Sequence, residues 1–354
     1  GIVFALLAGN CVVFKPSPEV PLTGRKIEEV FGAANLPEGV FNLVQAPDDQ
    51  LGTMLLEPPV KKVIFTGSTK VGRWIQETAS RNLIPTVMEL GGKDPMIVLD
   101  DADLELAANG AVWAAFMNCG QTCSSVERLY VHKSLHEKFT ALLLEKTRRL
   151  RIGFDPGNEV DIGPLINERQ LKTVEDHVVD ALKKGARLVH GGKMPENLKG
   201  YFYEPTILTD VNHNMKVMRE APFGPVRPVM AYDNDEEAIA LANDSNYGLT
   251  ASVWSRVSER ARAIARRLDA GTVTINDHAF SYGLCETPWQ GMKESGLGRS
   301  HSDAGLLEFV YPKHISTDTS PFSAKRKPWW FPYSKEGFEV QKDFMGSVID
   351  RSKI

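Results

Sequence analysis

Cys119 and Cys123 lie four residues apart in FMNCGQTCSSVERLYV, residues 116–131, surrounded by small and polar residues. Two readings compete for them. Both thiols can be buried small hydrophobes or ligands of a metal site closed from elsewhere in the chain. Alternatively, Cys123 is a nucleophile held on a turn, with Gly120 and the neighbouring hydroxyls leaving room for a substrate. Zinc takes about four ligands, and no further cysteine or histidine pair completes such a set among eight scattered histidines. A nucleophilic thiol needs access and either a lowered pKa or a nearby base. No histidine stands beside Cys123 in sequence, so a Cys-His hydrolase would have to borrow one from afar. A carboxylate such as Glu89 is another source of basicity.

Glu89 ends the strand-like run VMEL and is followed by Gly91 and Gly92, which let the backbone turn sharply. Three roles are open to it. It lies about 20 residues past Gly67, where a dinucleotide fold keeps a ribose-binding acid. It is equally placed to act as a general base, or to be a plain strand-end carboxylate. FTGSTKVG, residues 65–72, joins a strand to a helix, so the amides of Gly67 and Ser68 are expected to point where a phosphate could sit. It is neither the Walker pattern nor the three-glycine dinucleotide fingerprint, and a plain β-α turn explains it as well. Lys15 in VVFKPS ends a strand at an edge where a cation could reach ribose hydroxyls or phosphate, and an exposed strand-end lysine is the alternative.

The elements that must position these residues alternate. CVVFK, FNLVQ, KKVIFTG, VMEL, PMIVL, RLYVHKS and ARLVHGG read as strands. LTGRKIEEVFGAANL, TKVGRWIQETASR, DLELAANGAVWAAFM, LHEKFTALLLEKTRRL and NERQLKTVEDHVVDALKKGA read as helices. Strands separated by helices of about 10 to 15 residues imply right-handed β-α-β units. The fold class is therefore α/β, with two doubly wound parallel-sheet domains dividing near Gly91 and Gly92, and 354 residues suit two domains.

Composition narrows the function. A formal net charge of −4 and 24% charged residues give no electrostatic case for nucleic acid. Four scattered cysteines argue against a disulfide framework and for a reducing, cytoplasmic setting. The apolar opening GIVFALLAGNCVVF is too short to span a membrane. It begins in mid-pattern, and Gly1 is expected not to be the natural start.

Taken together, the motifs resemble those of the aldehyde dehydrogenase superfamily. MELGGK is similar to the family's glutamate motif and FMNCGQTC to its cysteine motif. KPS, FTGS, PFGPV, NYGLTASV and KESGLGR follow in the family's order. The resemblance covers essentially the whole chain and implies Cys123 as nucleophile and Glu89 as general base. It also implies NAD or NADP as cofactor, met by Lys15, Ser17, Gly67, Ser68 and Phe223, with no metal. It divides the chain into the remaining part of the cofactor domain (1–91), a catalytic domain (92–298) and a C-terminal segment returning to the cofactor domain and subunit interface (299–354). A homodimer or homotetramer and a small-molecule aldehyde substrate follow, and the family's oxyanion asparagine is expected ahead of Gly1.

Two positions depart from the family pattern. Pro18 stands where many NAD-preferring members carry a ribose-binding glutamate, with Glu19 one step further. Ala221 replaces a second glutamate before PFGPV. Phe116, Met117, Phe280 and Trp289 suggest an apolar mouth, hence a medium-chain or aromatic aldehyde. A non-catalytic relative and a cofactor-independent cysteine esterase are the rival readings. KRKPWWFPYSKEGF, residues 325–338, is basic and aromatic; packing on its own domain or a neighbouring subunit is the expected reading, and an interfacial anchor is the alternative.

Overall fold

The structure is a computed structural model describing residues 1–47, 52, 56–155, 157, 159–318, 327 and 329–350. Backbone contacts divide the chain into Gly1–Val310 and Tyr311–Ile354.

The first unit is built around a seven-stranded sheet. Its strands are β5 (Asp94–Val98), β6 (Val126–His132), β7 (Arg187–His190), β8 (Thr206–Thr209), β9 (Val226–Tyr232), β11 (Thr250–Trp254) and β12 (Thr272–Ile275). Their spatial order is β12-β11-β5-β6-β9-β8-β7. Every residue of β5, β8 and β11 is buried, as is β6 up to its last residue. Strands buried along their whole length belong in a parallel sheet covered on both faces. All pairings are parallel except β7 with β8. ARLVHGG thus forms the expected strand but runs backwards, because Gly191 (φ +70°) and Gly192 (φ +79°) turn the chain before a helical crossover can form. Helix Leu104–Phe116 links β5 to β6. Asp103 caps it by accepting from the Leu106 amide at 3.1 Å, and its alanine-rich body is buried.

The first ninety residues form smaller ladders. β1 (Val12–Phe14) pairs in parallel with β2 (Phe41–Leu43). β3 (Val63–Thr66) pairs in parallel with β4 (Thr86–Glu89), and β14 (Gly296–Leu297) closes β4 antiparallel, with Gly296 opposite Glu89. Among the described residues no ladder hydrogen bond joins β1-β2 to β14-β4-β3. A further short antiparallel pair joins β10 (Tyr247–Gly248) and β13 (Met292–Lys293). One large core surrounds the seven-stranded sheet, and a small one gathers Leu56, Ile75, Ala79, Ile84, Met88 and Leu90.

Candidate active site

The loop carrying Cys123 enters the amino end of β6 after helix Leu104–Phe116, through three consecutive left-handed residues: Asn118 (φ +50°), Cys119 (φ +59°) and Gly120 (φ +72°). Non-glycine residues adopt this conformation only where the surroundings impose it. Here Asn118 donates from Nδ2 to the Gln121 carbonyl at 3.0 Å. Gln121 in turn accepts at Oε1 from the Ile166 amide (2.9 Å) and donates to the Pro164 carbonyl (3.3 Å). Glycine is required at 120 for a second reason, since a Cβ there would stand 2.3 Å from the Gly224 carbonyl oxygen.

Beneath the loop, buried Arg227 donates to the Gly224 carbonyl (2.9 Å), to Ser125 Oγ (2.6 Å) and to the Ala115 carbonyl. Lys93 and Glu127 form a buried ion pair at 2.7 Å beside it. A charge pair of this kind adds little net stability but makes the geometry expensive to disturb.

The two cysteines separate clearly. Cys119 is 1% exposed, and burial pushes its thiol up to about 12 despite the nearby Arg227 cation. Cys123 is half-buried. Burial first, then the Asp94 and Glu89 carboxylates, push its thiol up to about 11, while its own amide and that of Ser124 favour the thiolate. At neutral pH Cys123 therefore rests as a thiol and must lose its proton to react. Among the described residues no three histidine, cysteine or acidic side chains converge as a metal site.

Glu89 is held at both oxygens. Oε1 accepts from Ser300 Oγ at 2.5 Å and Oε2 from Trp289 Nε1 at 2.9 Å. Burial raises its pKa above the usual glutamate range, and these two hydrogen bonds oppose that rise. Trp289 and Ser300 also exchange backbone hydrogen bonds at 2.8 and 2.9 Å, so one bridge presents both donors. Trp289 is only 2% exposed and stacks edge-on against Tyr282 at 5.1 Å, so it buttresses the carboxylate instead of lining an open mouth. Phe116 likewise turns into the main core, beneath the Arg227 guanidinium. Of the four residues expected at the mouth, Phe280 is exposed and Met117 half-buried.

The cofactor candidates fall in three places. Ser68 caps helix Thr69–Ser80, accepting from the Val71 amide at 3.4 Å. The Gly67 amide, expected to face a phosphate, donates instead to the Glu89 carbonyl at 3.1 Å, tying the ends of β3 and β4 together. Lys15 and Ser17 follow β1 on the separate two-stranded ladder. Lys15 Nζ donates to the Pro16 carbonyl at 3.1 Å, and Ser17 Oγ accepts from the Glu19 amide at 3.3 Å. Phe223 has φ +46° and is partly exposed. Its carbonyl and that of Pro222 accept from Gln170 Nε2 at 3.1 and 2.6 Å. Glu19 Oε1 accepts from Asn167 Nδ2 at 2.9 Å. Residues 164–170 thus touch the Cys123 loop through Gln121, the Phe223 loop through Gln170, and the segment after β1 through Asn167.

Ser300, Gln121, Asn167 and Gln170 escaped the sequence reading. Asn167 carried a signal, being the N-cap of helix Glu168–Lys183. Ser300 carried none, since it acts 211 residues from its partner. Asp94 was also missed. It is buried, accepts from Thr250 Oγ1 at 2.6 Å, and burial pushes its carboxyl up to about 8.

An α/β chain whose largest sheet is parallel apart from one edge strand carries a half-buried thiol within electrostatic reach of a clamped carboxylate. The sequence model of the aldehyde dehydrogenase family matches residues 1–315, and the chain belongs to that family. It is 42% identical over 347 residues to the 4,4'-diapolycopene aldehyde oxidase of a Methylomonas species, covering 98% of this chain and 64% of that protein. It is similar to the crystal structure of Staphylococcus aureus betaine aldehyde dehydrogenase in complex with NAD+ (TM-score 0.84, 36% identity, 90% of this chain and 63% of that one). It is also similar to the NADP-dependent glyceraldehyde-3-phosphate dehydrogenase of Bacillus halodurans complexed with NADP (TM-score 0.81, 39% identity, 87% and 63%). The chain spans just under two thirds of the length of these relatives.

Proposed function

We propose that the chain carries the chemistry of an NAD(P)-dependent aldehyde dehydrogenase, with Cys123 as nucleophile and Glu89 as general base. The observation that carries this reading is the contrast between the two thiols. Half-buried Cys123 sits after a strained loop within electrostatic reach of a half-buried, oriented carboxylate, whereas Cys119 is sealed in the core.

Cys123 Sγ gives its proton to a base and bonds to the aldehyde carbon, forming a thiohemiacetal. A thiolate suits both halves of the task, because it adds readily and leaves readily from the thioester that oxidation produces. The nicotinamide, when bound, supplies the hydride acceptor. Residues around the site fit such a group. The capped start of helix Thr69–Ser80 offers its first amides to a phosphate, Lys15 and Ser17 supply polar contacts from the neighbouring ladder, and partly exposed Phe223 offers an apolar surface beside Gly224. Water then attacks the thioester as Glu89 accepts its proton. The raised pKa of Glu89 makes it a better proton acceptor than an exposed carboxylate, and the bonds from Ser300 and Trp289 fix its position. The amides of Ser124 and Cys123, which already favour negative charge on the sulfur, lie where one side of an oxyanion would develop.

Exposed Phe280 and half-buried Met117 support an apolar aldehyde as substrate. The relative named 4,4'-diapolycopene aldehyde oxidase supports the same class. Formation of reduced nicotinamide is the test. Cys123→Ala is expected to abolish it, along with any ester hydrolysis, while Cys119→Ala retains most of both. Equal loss from the two substitutions would remove the assignment, and ester hydrolysis without cofactor reduction would favour an esterase.

A further inference from the structure

We infer that the C-terminal unit, Tyr311–Ile354, is a bilayer-surface anchor that lies in the lipid–water interface without crossing it. The inference rests on the apolar-aldehyde reading above. The family match ends at residue 315, so almost all of this unit lies beyond the matched part. Within five residues it presents Trp329, Trp330, Phe331 and Tyr333, each at least half exposed, with the two tryptophans at 50% and 52%. Tryptophan and tyrosine favour the headgroup region, where an apolar ring and a polar edge are both satisfied.

The helix that follows, Lys335–Asp350, is amphipathic. At 100° per residue Phe338, Phe344 and Met345 share one side, and all three are exposed. Glu336, Glu339 and Asp343 fall on the other, where a helix lying flat on a membrane would turn them to water. Charge is segregated in the same sense. Residues 311–354 carry eight Lys or Arg against five Asp or Glu, although the whole chain has a net charge of −4. Lys325, Arg326 and Lys327 precede the tryptophans, with Lys327 paired to Asp318. Among the described residues no helix is long and apolar enough to span a membrane. The Methylomonas relative, named 4,4'-diapolycopene aldehyde oxidase, aligns with 98% of this chain, hence with most of this unit. The partner that fits is a phospholipid bilayer containing anionic headgroups, and the anchor would hold the enzyme at the phase in which an apolar aldehyde dissolves.

Flotation of the full chain with vesicles of phosphatidylcholine, with and without phosphatidylglycerol, tests this. The chain is expected to float with both and more strongly with the anionic mixture, the excess disappearing at high salt. Trp329→Ser with Trp330→Ser, and separately Phe344→Ser with Met345→Ser, should each lower partitioning by about tenfold or more. Both variants should leave reduction of nicotinamide by a short, water-soluble aldehyde unchanged. Absence of wild-type flotation overturns the inference, as does equal flotation of the variants. So does a dimer seen by light scattering that the tryptophan variant dissolves, which would make a second copy the occupant. Flotation by a chain that oxidises no aldehyde would instead remove the functional reading and leave the anchor standing.

Discussion

The seven-stranded sheet and the ladders that precede it are held together very differently. β5, β8 and β11 are buried at every position, and the core around them runs from Met96 to Ala279. In the first ninety residues, by contrast, Val13 in β1 is 53% exposed, and Val20, Leu22, Val30, Ile64 and Trp74 are also open. Burial contributes about 25 cal/mol per Å² of apolar surface, so the sheet side is stabilised by its core where the ladder side is thin. The division has a functional counterpart. Cys123 is fixed by the sheet side, through Gln121, Ser125 and Arg227. Glu89 stands on the thin side, its backbone paired with β3 and Gly67, but its carboxylate is clamped by Trp289 and Ser300 from far along the chain. A carboxylate need not sit on a deep core to be oriented if it is pinned at both oxygens.

If that clamp serves a base, Glu89→Gln should lower turnover by roughly 10² to 10⁴ and trap acyl-enzyme, seen by mass spectrometry of the intact chain. The pH profile sharpens the point. A carboxyl whose pKa is raised gains its ionised, basic form as pH climbs through that raised value. The wild-type rate should therefore rise with pH starting above the ordinary glutamate range, and Glu89→Gln should lose that limb. Unchanged turnover would return Glu89 to a ribose-binding or plain strand-end role.

Next in size is the packing contrast itself. Leu129 is fully buried in β6, and Leu129→Ala should cost about 2–5 kcal/mol in denaturant unfolding. Val13→Ala, on the exposed strand, should cost no more than about 0.5 kcal/mol. Comparable losses would show that the ladder side is covered in solution by something that buries Val13.

The smallest effect concerns cofactor choice on the thin side. Pro18 leaves no carboxylate at that position, and Glu19 is occupied with Asn167. NADP should therefore be used with a kcat/KM within about tenfold of that for NAD, equivalent to roughly 1.4 kcal/mol. Pro18→Glu should penalise NADP selectively, because a carboxylate repels a 2′-phosphate. A wild-type preference for NAD beyond about a hundredfold (roughly 2.7 kcal/mol) would mean that Glu19 leaves Asn167 and does that work.

Much of this was legible from local pattern. The strands CVVFK, KKVIFTG, VMEL and PMIVL and the helices between them lie where periodicity placed them, because alternation and amphipathicity are properties of neighbours in sequence. The order of the motifs was enough to suggest the family, which the match over residues 1–315 establishes. Local pattern was silent on strand direction at β7, which two glycines decided, and on Phe116 and Trp289, whose apolar character suits a mouth and a core equally well.

The sequence by itself determined the α/β class, the loop on which Cys123 sits and the strand end on which Glu89 sits, since each is written within a few consecutive residues. Only the tertiary structure decided that Cys119 is sealed while Cys123 is half-buried, because four residues of left-handed and turn backbone separate an inward from an outward direction. It alone joined Glu89 to Trp289 and Ser300, 200 and 211 residues away, and Gln121 to Ile166. Hydrogen bonds over such separations follow from how the chain brings β14 beside β4 and residues 164–166 against the loop before β6, and no periodicity along the chain encodes that arrangement.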